Sequence, residues 1–189
     1  MSHSRWLSSA LSATCLWLMS CASPPRSIET LATRPADPLL AAHINAKVLI
    51  FVNNDCPIAN RYSPEIRRLH AQYAPRGVAF WLVHSDGEET PVSIREHDRE
   101  YGLEVPTLLD PHHSLVRMAK AEVVPSAAVF GSDGQLVYHG RIDDRFAEIG
   151  RERQQPSRHD LQEALEAVLA HRPVVVPATK AVGCYIPNN

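Results

Sequence analysis

The sequence predicts one α/β domain, built on a mixed central β-sheet with helices on both faces. Short continuous apolar runs, typical of strands buried on both faces, alternate twice with amphipathic helical patterns. A hairpin pattern and one further helix follow them. A chain of 189 residues with 44% hydrophobic content suffices for about one such core.

The first predicted unit is a strand, a Cys-Pro turn and a helix. The strand is KVLIFVN (47–53), and Cys56 and Pro57 follow it after two residues. One helix face then recurs at spacings of four, three and four, at Tyr62, Ile66, Leu69 and Tyr73. This helix should end near Gly77.

The remaining elements continue the alternation of strands and helices. VAFWLVHS (78–85) is a second buried strand, Thr90 and Pro91 open a helix, and Gly102 ends it. VPTLLD (105–110) is a short apolar piece before a helix at about 113–121. SAAVF (126–130), the turn GSDG and QLVYHGR (135–141) predict a hairpin, and Ser157 is the expected cap of the last helix.

The N-terminal part has a different composition and predicts export. Residues 1–21 resemble a signal segment with a bacterial lipobox, in which Cys21 would carry the lipid, although a plainly cleaved signal or an uncleaved anchor remain alternatives. Residues 22–40 are expected to be a tether, 41–172 the folded domain, and 173–189 an extended tail that carries Cys184. The predicted location is the periplasmic side of a bacterial membrane, with lipid anchoring.

Charge and motif content exclude several classes of function. The net charge of -2 lacks long blocks of one sign, which predicts no nucleic-acid partner. His112 and His113 lack the spacing of a closed metal site, and no haem or phosphate motif occurs, so neither metal nor cofactor is expected. Asp143 and Asp144 are interpreted as surface charge or a local turn.

Cys56 is the predicted reactive residue, because it stands where a helix begins. The free N–H groups and the dipole of a helix N-terminus stabilise a thiolate, which is the nucleophilic form of cysteine. Pro57 suits a first helical turn, and Arg61 adds positive charge, whereas the carboxylate of Asp55 acts against the thiolate.

These segments resemble the thioredoxin-like redoxins, the group that includes the alkyl hydroperoxide reductase and thiol-specific antioxidant proteins. The resemblance runs from about 47 to 172, through CPIANRYSPEIRRL, VVPSAAVF and GSDGQLVYHGRIDD, while SRHDLQEAL and TKAVGCYI resemble one exported bacterial subgroup. It implies a thioredoxin-like fold, with Cys56 as the N-terminal active-site cysteine. It also implies a cis Pro125 beside that cysteine, which holds an extended substrate. We further expect Pro57, Tyr62 and Arg61 to line the docking site.

The sequence departs from the family at positions that matter for chemistry. Ala59 and Asn60 stand where a Cys-x-x-Cys or a Cys-x-x-x-Cys motif would have its second cysteine. Asn53 and Leu49 stand where typical peroxiredoxins have Thr or Ser and Pro. The second difference weakens the interpretation as an efficient peroxidase.

Cys184 is the candidate resolving cysteine, since a disulfide or sulfenic acid on Cys56 needs another thiol. A structural disulfide between the two, or no relation between them, are the alternatives. We therefore expect an exported thiol-disulfide oxidoreductase that acts on a disulfide-bearing protein or a peroxide and is reduced by an external dithiol protein. A thiol peroxidase, a copper-binding assembly module and a binding domain with an unreactive site are the competing hypotheses.

Overall fold

The protein has a six-stranded mixed sheet as its centre. A computed structural model describes residues 29–30 and 44–187. The sheet order is β1-β4-β3-β2-β6-β7, with β1 Glu29–Thr30, β2 Ala46–Val52, β3 Val78–His84, β4 Thr107–Leu109, β6 Ser126–Gly131 and β7 Leu136–Gly140. Strands β2, β3 and β4 are parallel, and β1, β6 and β7 pair antiparallel to their neighbours. The predicted mixed α/β sheet is confirmed.

Five α-helices connect and cover the strands within the described residues. They are α1 Pro57–Arg61, α2 Ser63–Tyr73, α3 Pro91–Tyr101, α4 Ser114–Ala119 and α5 Asp160–Leu169. The predicted limits of α3 are confirmed: Thr90 forms a capping box with Ser93, and Gly102 ends the helix in the left-handed conformation. Helix α5 is linked to the end of α2 and to the turn after it, because Glu166 of α5 accepts hydrogen bonds from Tyr73 and Arg76.

Two local predictions were wrong. The N-cap of α5 is His159 rather than Ser157, because the Ser157 hydroxyl and amide both donate to the buried carboxylate of Asp144. Part of the predicted tether is also a strand, since Glu29–Thr30 pairs with Leu108–Leu109 at the sheet edge. The remainder of residues 1–40, including Cys21, lies outside the described residues.

The tail after α5 returns to the sheet and forms a second small pairing. The His139 N–H donates to the Pro177 carbonyl, the Thr179 N–H donates to the His139 carbonyl, and the Thr179 hydroxyl pairs with Tyr138. The chain then forms β10 Cys184–Tyr185, antiparallel to β5 Val123–Val124. Strands β8 Phe146–Glu148 and β9 Arg151–Glu152 form a short hairpin nearby. Among residues 29–30 and 44–187, no helix is both long and apolar enough to cross a membrane.

Candidate active site

Cys56 lies between the end of β2 and the start of α1, where the sequence predicts it. It is the N-cap of α1, and Pro57 occupies the first turn, where a missing N–H costs nothing. Its side chain is only 1% exposed, and its thiol donates a hydrogen bond to the Val124 carbonyl at 3.3 Å. The cysteine is thus held against the strand segment that precedes Pro125.

A polar network positions the loop in front of Cys56. The Asn54 N–H donates to one carboxylate oxygen of Glu89, whose other oxygen lies 2.9 Å from Nδ1 of the fully buried His84. The Asn60 side chain donates to the Asn54 carbonyl. His97 in turn contacts the Asn60 amide oxygen at 2.8 Å. Sequence reasoning missed this network, because its members are separated by up to 43 positions in the chain (97 − 54).

Cys184 meets Cys56 through the pairing of β10 with β5. Both are free cysteines, and their sulfur atoms are 2.7 Å apart. A disulfide, with an S–S bond of about 2.05 Å, therefore needs less than 1 Å of movement. Gly183 allows the close approach, because a Cβ atom there would lie 2.0 Å from the Val124 carbonyl oxygen.

The environment of Cys184 keeps its thiol protonated. Burial is the largest cause, and together with the hydrogen bond to Cys56 and the electrostatic interaction with that residue it raises the pKa of Cys184 to about 11.

The predicted docking residues separate into two groups. Pro125 follows a cis peptide bond, and Pro57 and Arg61 line an apolar groove beside Cys184, with a volume of about 360 Å³. Ile58, Phe146 and Ile149 form its apolar walls. Tyr62, by contrast, is 3% exposed and does not line this groove.

Tyr62 instead has a structural role, because its buried side chain joins two segments next to the site. Its hydroxyl donates to Oδ1 of Asp143 at 2.5 Å, and its ring packs against Phe146 at 5.7 Å between centroids. Burial and the bond to this carboxylate raise the pKa of Tyr62 far above its ordinary value. The phenol is therefore a neutral donor that joins the end of α1 to the segment after β7.

Asp143 and Asp144 are not surface charge but belong to a local turn, which is the other interpretation from the sequence: the Arg145 N–H donates to the Asp143 carboxylate two residues before it. They are 1% and 6% exposed, and each carboxylate is an acceptor for neighbouring donors. Burial alone would raise the pKa of Asp144, but hydrogen bonds from Ser157 and Arg158 outweigh it and lower the pKa to about 2. The pair folds the segment between β7 and α5.

One group of side chains could bring three donors to a metal ion. Single donor atoms of Glu65, Asp143 and His159 lie within 4.8 Å of one another. Arg68 already occupies both carboxylate oxygens of Glu65, and Tyr62 occupies one oxygen of Asp143. Glu65 is thus already paired with Arg68 and Asp143 with Tyr62, and the absence of a bound metal stays a prediction.

The two neighbouring histidines at the start of α4 differ in exposure. His113 is buried, in the left-handed conformation, and its Nε2 lies 2.9 Å from the Ser85 carbonyl oxygen. His112 is exposed. His113 thus joins the turn before α4 to the end of β3.

With the site described, comparison with known proteins identifies the family. The family model described as AhpC/TSA matches residues 40–139, which is more than half of the chain. The chain belongs to the AhpC/TSA family. Among curated protein sequences, none matches. The matched range of the AhpC/TSA model includes Cys56 and Pro125 but ends before Cys184.

Solved structures similar to this AhpC/TSA chain agree on the fold. An uncharacterized conserved protein from Geobacillus kaustophilus is 28% identical, with a TM-score of 0.67, and the match covers 77% of this chain and 78% of that one. A hypothetical protein from Sinorhizobium meliloti 1021 is 26% identical, with a TM-score of 0.67 and coverage of 76% and 80%.

A secreted Mycobacterium tuberculosis disulfide oxidoreductase, described as homologous to E. coli DsbE, is 17% identical. Its TM-score is 0.52, and the match covers 77% of this chain and 95% of that one. The fold is therefore thioredoxin-like, as the sequence motifs imply.

Proposed function

We propose that the protein is an exported thiol-disulfide oxidoreductase in which Cys56 is the nucleophile and Cys184 the resolving cysteine. The observation that carries this proposal is the 2.7 Å approach of two sulfur atoms that are 128 residues apart in sequence. The approach occurs beside a cis proline and a groove open to a partner. A static clip between tail and domain would need the two cysteines but not the groove.

The reaction has two exchange steps that conserve atoms and electrons. The Cys56 thiolate attacks one sulfur of a substrate disulfide, forms a mixed disulfide and releases the other substrate sulfur as a thiolate. Cys184 loses its proton and attacks the Cys56 sulfur, which releases the second substrate thiolate and forms the Cys56–Cys184 disulfide. An external dithiol protein then returns both cysteines to thiols and is itself oxidised.

The raised pKa of Cys184 gives these steps an order. Burial is the largest cause, but the other two causes, the hydrogen bond to Cys56 and the electrostatic interaction with Cys56, exist only while the Cys56 sulfur carries no partner. Their loss in the mixed disulfide lowers the pKa of Cys184 when it must attack. Cys184 therefore stays protonated before the first exchange step and acts as the nucleophile in the second.

Peroxide reduction is a second candidate, favoured by the match to the AhpC/TSA family. In that reaction the Cys56 thiolate takes an oxygen atom from the peroxide, and Cys184 condenses with the sulfenic acid and releases water. Asn53 and Leu49, which stand where typical peroxiredoxins have Thr or Ser and Pro, favour the disulfide reaction. The copper-binding hypothesis has no comparable support.

The location is also a proposal. The apolar N-terminal segment and the Ser20-Cys21 sequence support export to the periplasmic side of a membrane, with a lipid on Cys21. In such an oxidising compartment a dithiol protein must supply the electrons for each turnover.

Intact-mass analysis tests the reaction. The full chain, with Cys15 and Cys21 replaced by serine, is exposed briefly to glutathione disulfide or to hydrogen peroxide, together with Cys56→Ser and Cys184→Ser variants. The parent should lose two hydrogen atoms, and Cys184→Ser should accumulate a glutathione adduct or a sulfenic acid on Cys56. The faster oxidant identifies the reaction. An unmodified Cys56 under both oxidants, or an internal disulfide that dithiols reduce only after unfolding, would refute the proposal.

A further inference from the structure

The tail shows where the polypeptide that reacts with Cys56 must run. A sulfur bonded to Cys56 has to lie about 2 Å from its Sγ atom, and the Cys184 sulfur is already at 2.7 Å. Cys56 is 1% exposed while β10 is in place. A partner sulfur therefore reaches Cys56 when its own chain replaces β10 beside β5.

The tail is fastened in a way that allows this replacement. Pro177 and Thr179 are bonded to the end of β7, where Gly140 leaves room for the Thr179 carbonyl. Beyond this anchor, the chain is held by the pairing of Cys184–Tyr185 with β5, by one bond from the Ile186 N–H to the Glu122 carbonyl, and by the partly buried side chains of Val182, Cys184 and Ile186 against the core. The anchor at 177–179 can stay bound while residues 180–187 leave.

The exposed edge of β5 would then accept a new strand through its backbone. An added strand gains affinity from main-chain hydrogen bonds, which do not depend on sequence, and specificity from the space available to each side chain. In a strand bound like β10, the residue after the cysteine can have any side chain, since Tyr185 at this position is 81% exposed. The residue before the cysteine does not have this freedom.

Gly183 marks a position where a side chain has no space. A Cβ atom there would lie 2.0 Å from the oxygen and 2.6 Å from the carbon of the Val124 carbonyl, and 3.1 Å from the Pro125 nitrogen. These are backbone atoms of a buried segment, which cannot turn aside as the end of a flexible side chain can.

We infer that the substrate is an extended polypeptide segment in which glycine directly precedes the reacting cysteine, bound antiparallel to β5 in place of β10. This inference rests on the proposed function, because it specifies the partner of the Cys56 exchange. The chain's own Ala-Val-Gly-Cys-Tyr-Ile sequence (181–186) is then a built-in copy of its substrate.

The test compares peptides that differ only before the cysteine. The Cys184→Ser variant, in the full chain with Cys15 and Cys21 replaced by serine, is first converted to the Cys56–glutathione disulfide. It is then equilibrated with the thiol peptide AVGCYI, with AVACYI, or with the reversed peptide IYCGVA. Each exchange moves Cys56 from glutathione to peptide and releases one glutathione thiol, so no oxidant is consumed. Mass spectrometry gives the three equilibrium constants.

We expect AVGCYI to be favoured over AVACYI by about tenfold or more, and over the reversed peptide, which cannot pair in the same direction. Equal constants for AVGCYI and AVACYI would overturn the inference and leave the proposed function intact. Failure of Cys56 to form any disulfide, including the one with glutathione, would instead refute the proposed function. The two failures are therefore distinguishable.

Discussion

Replacement of Gly183 by alanine should separate the two cysteines without unfolding the domain. The new Cβ would lie 2.0 Å from the Val124 carbonyl oxygen, at least 1 Å closer than real Cβ contacts allow, so β10 must move away from β5. The movement breaks the Cys184–Tyr185 pairing and the bond from Ile186 to Glu122. Two or three backbone hydrogen bonds, each contributing about 1 kcal/mol, are lost.

A loss of about 2 to 3 kcal/mol lowers the equilibrium constant for docking of β10 about 30- to 150-fold, and slows internal disulfide formation by up to the same factor. At the same time, Cys56 loses its cover and should form a glutathione adduct faster. The assay is a time course of intact mass in glutathione disulfide, which separates the internal disulfide from the adduct.

Gly87→Ala is the matched control, since a Cβ at this position meets no atom within 4 Å. Both variants should have a melting temperature within a few degrees of that of the parent, because β10 is outside the six-stranded sheet. An internal disulfide that forms in Gly183→Ala within threefold of the parent rate would show that β10 pairing does not bring the sulfurs together, and the steric reasoning would be refuted.

Three further predictions concern the support of the site. Tyr62→Phe removes the donor to the buried Asp143 carboxylate and should lower the free energy of unfolding, measured in urea, by about 1 to 2 kcal/mol, with the Cys56 reaction rate nearly unchanged. A large loss of rate with unchanged stability would contradict this supporting role.

Asp144→Asn should be less stable than the parent at pH 7, and thermal unfolding should show the difference closing between about pH 4 and pH 2. The sign follows from the lowered pKa of Asp144, whose stabilisation exists above the unfolded pKa and is lost as the folded carboxyl protonates; a constant difference would contradict it. Arg61→Ala removes an exposed pair with Glu152 and should change stability by less than about 1 kcal/mol in the same urea assay, and a larger loss would contradict that estimate.

Sequence patterns predicted the elements whose local signals agree with their tertiary environment. The seven buried residues of β2, and the Thr90 and Gly102 limits of α3, follow from hydrophobic runs and capping chemistry. Cys56 and Pro57 are recognisable because a cysteine and a first-turn proline stand together at a strand-to-helix boundary.

The parts that sequence reasoning missed depend on contacts between distant residues. Asp143 looks like a surface residue in a polar stretch, and only the fold brings Tyr62, 81 positions earlier, to its carboxylate. Ser157 is a good N-cap by residue type, but Asp144 uses both of its donors. The distance between the Cys56 and Cys184 sulfurs likewise depends on β10 pairing with a two-residue strand, which has no periodicity to detect.

The separation of the two sulfurs by 128 residues links redox chemistry to folding. In a Cys-x-x-Cys site the thiols stay neighbours even in an unfolded chain, whereas here a long loop must close before they meet. By thermodynamic reciprocity, the fold favours the disulfide by the same free energy with which the disulfide favours the fold. The reduction potential of this pair should therefore shift with temperature and denaturant along with the stability of the domain. A half-unfolded population of the dithiol form is then a weaker reductant than the native one.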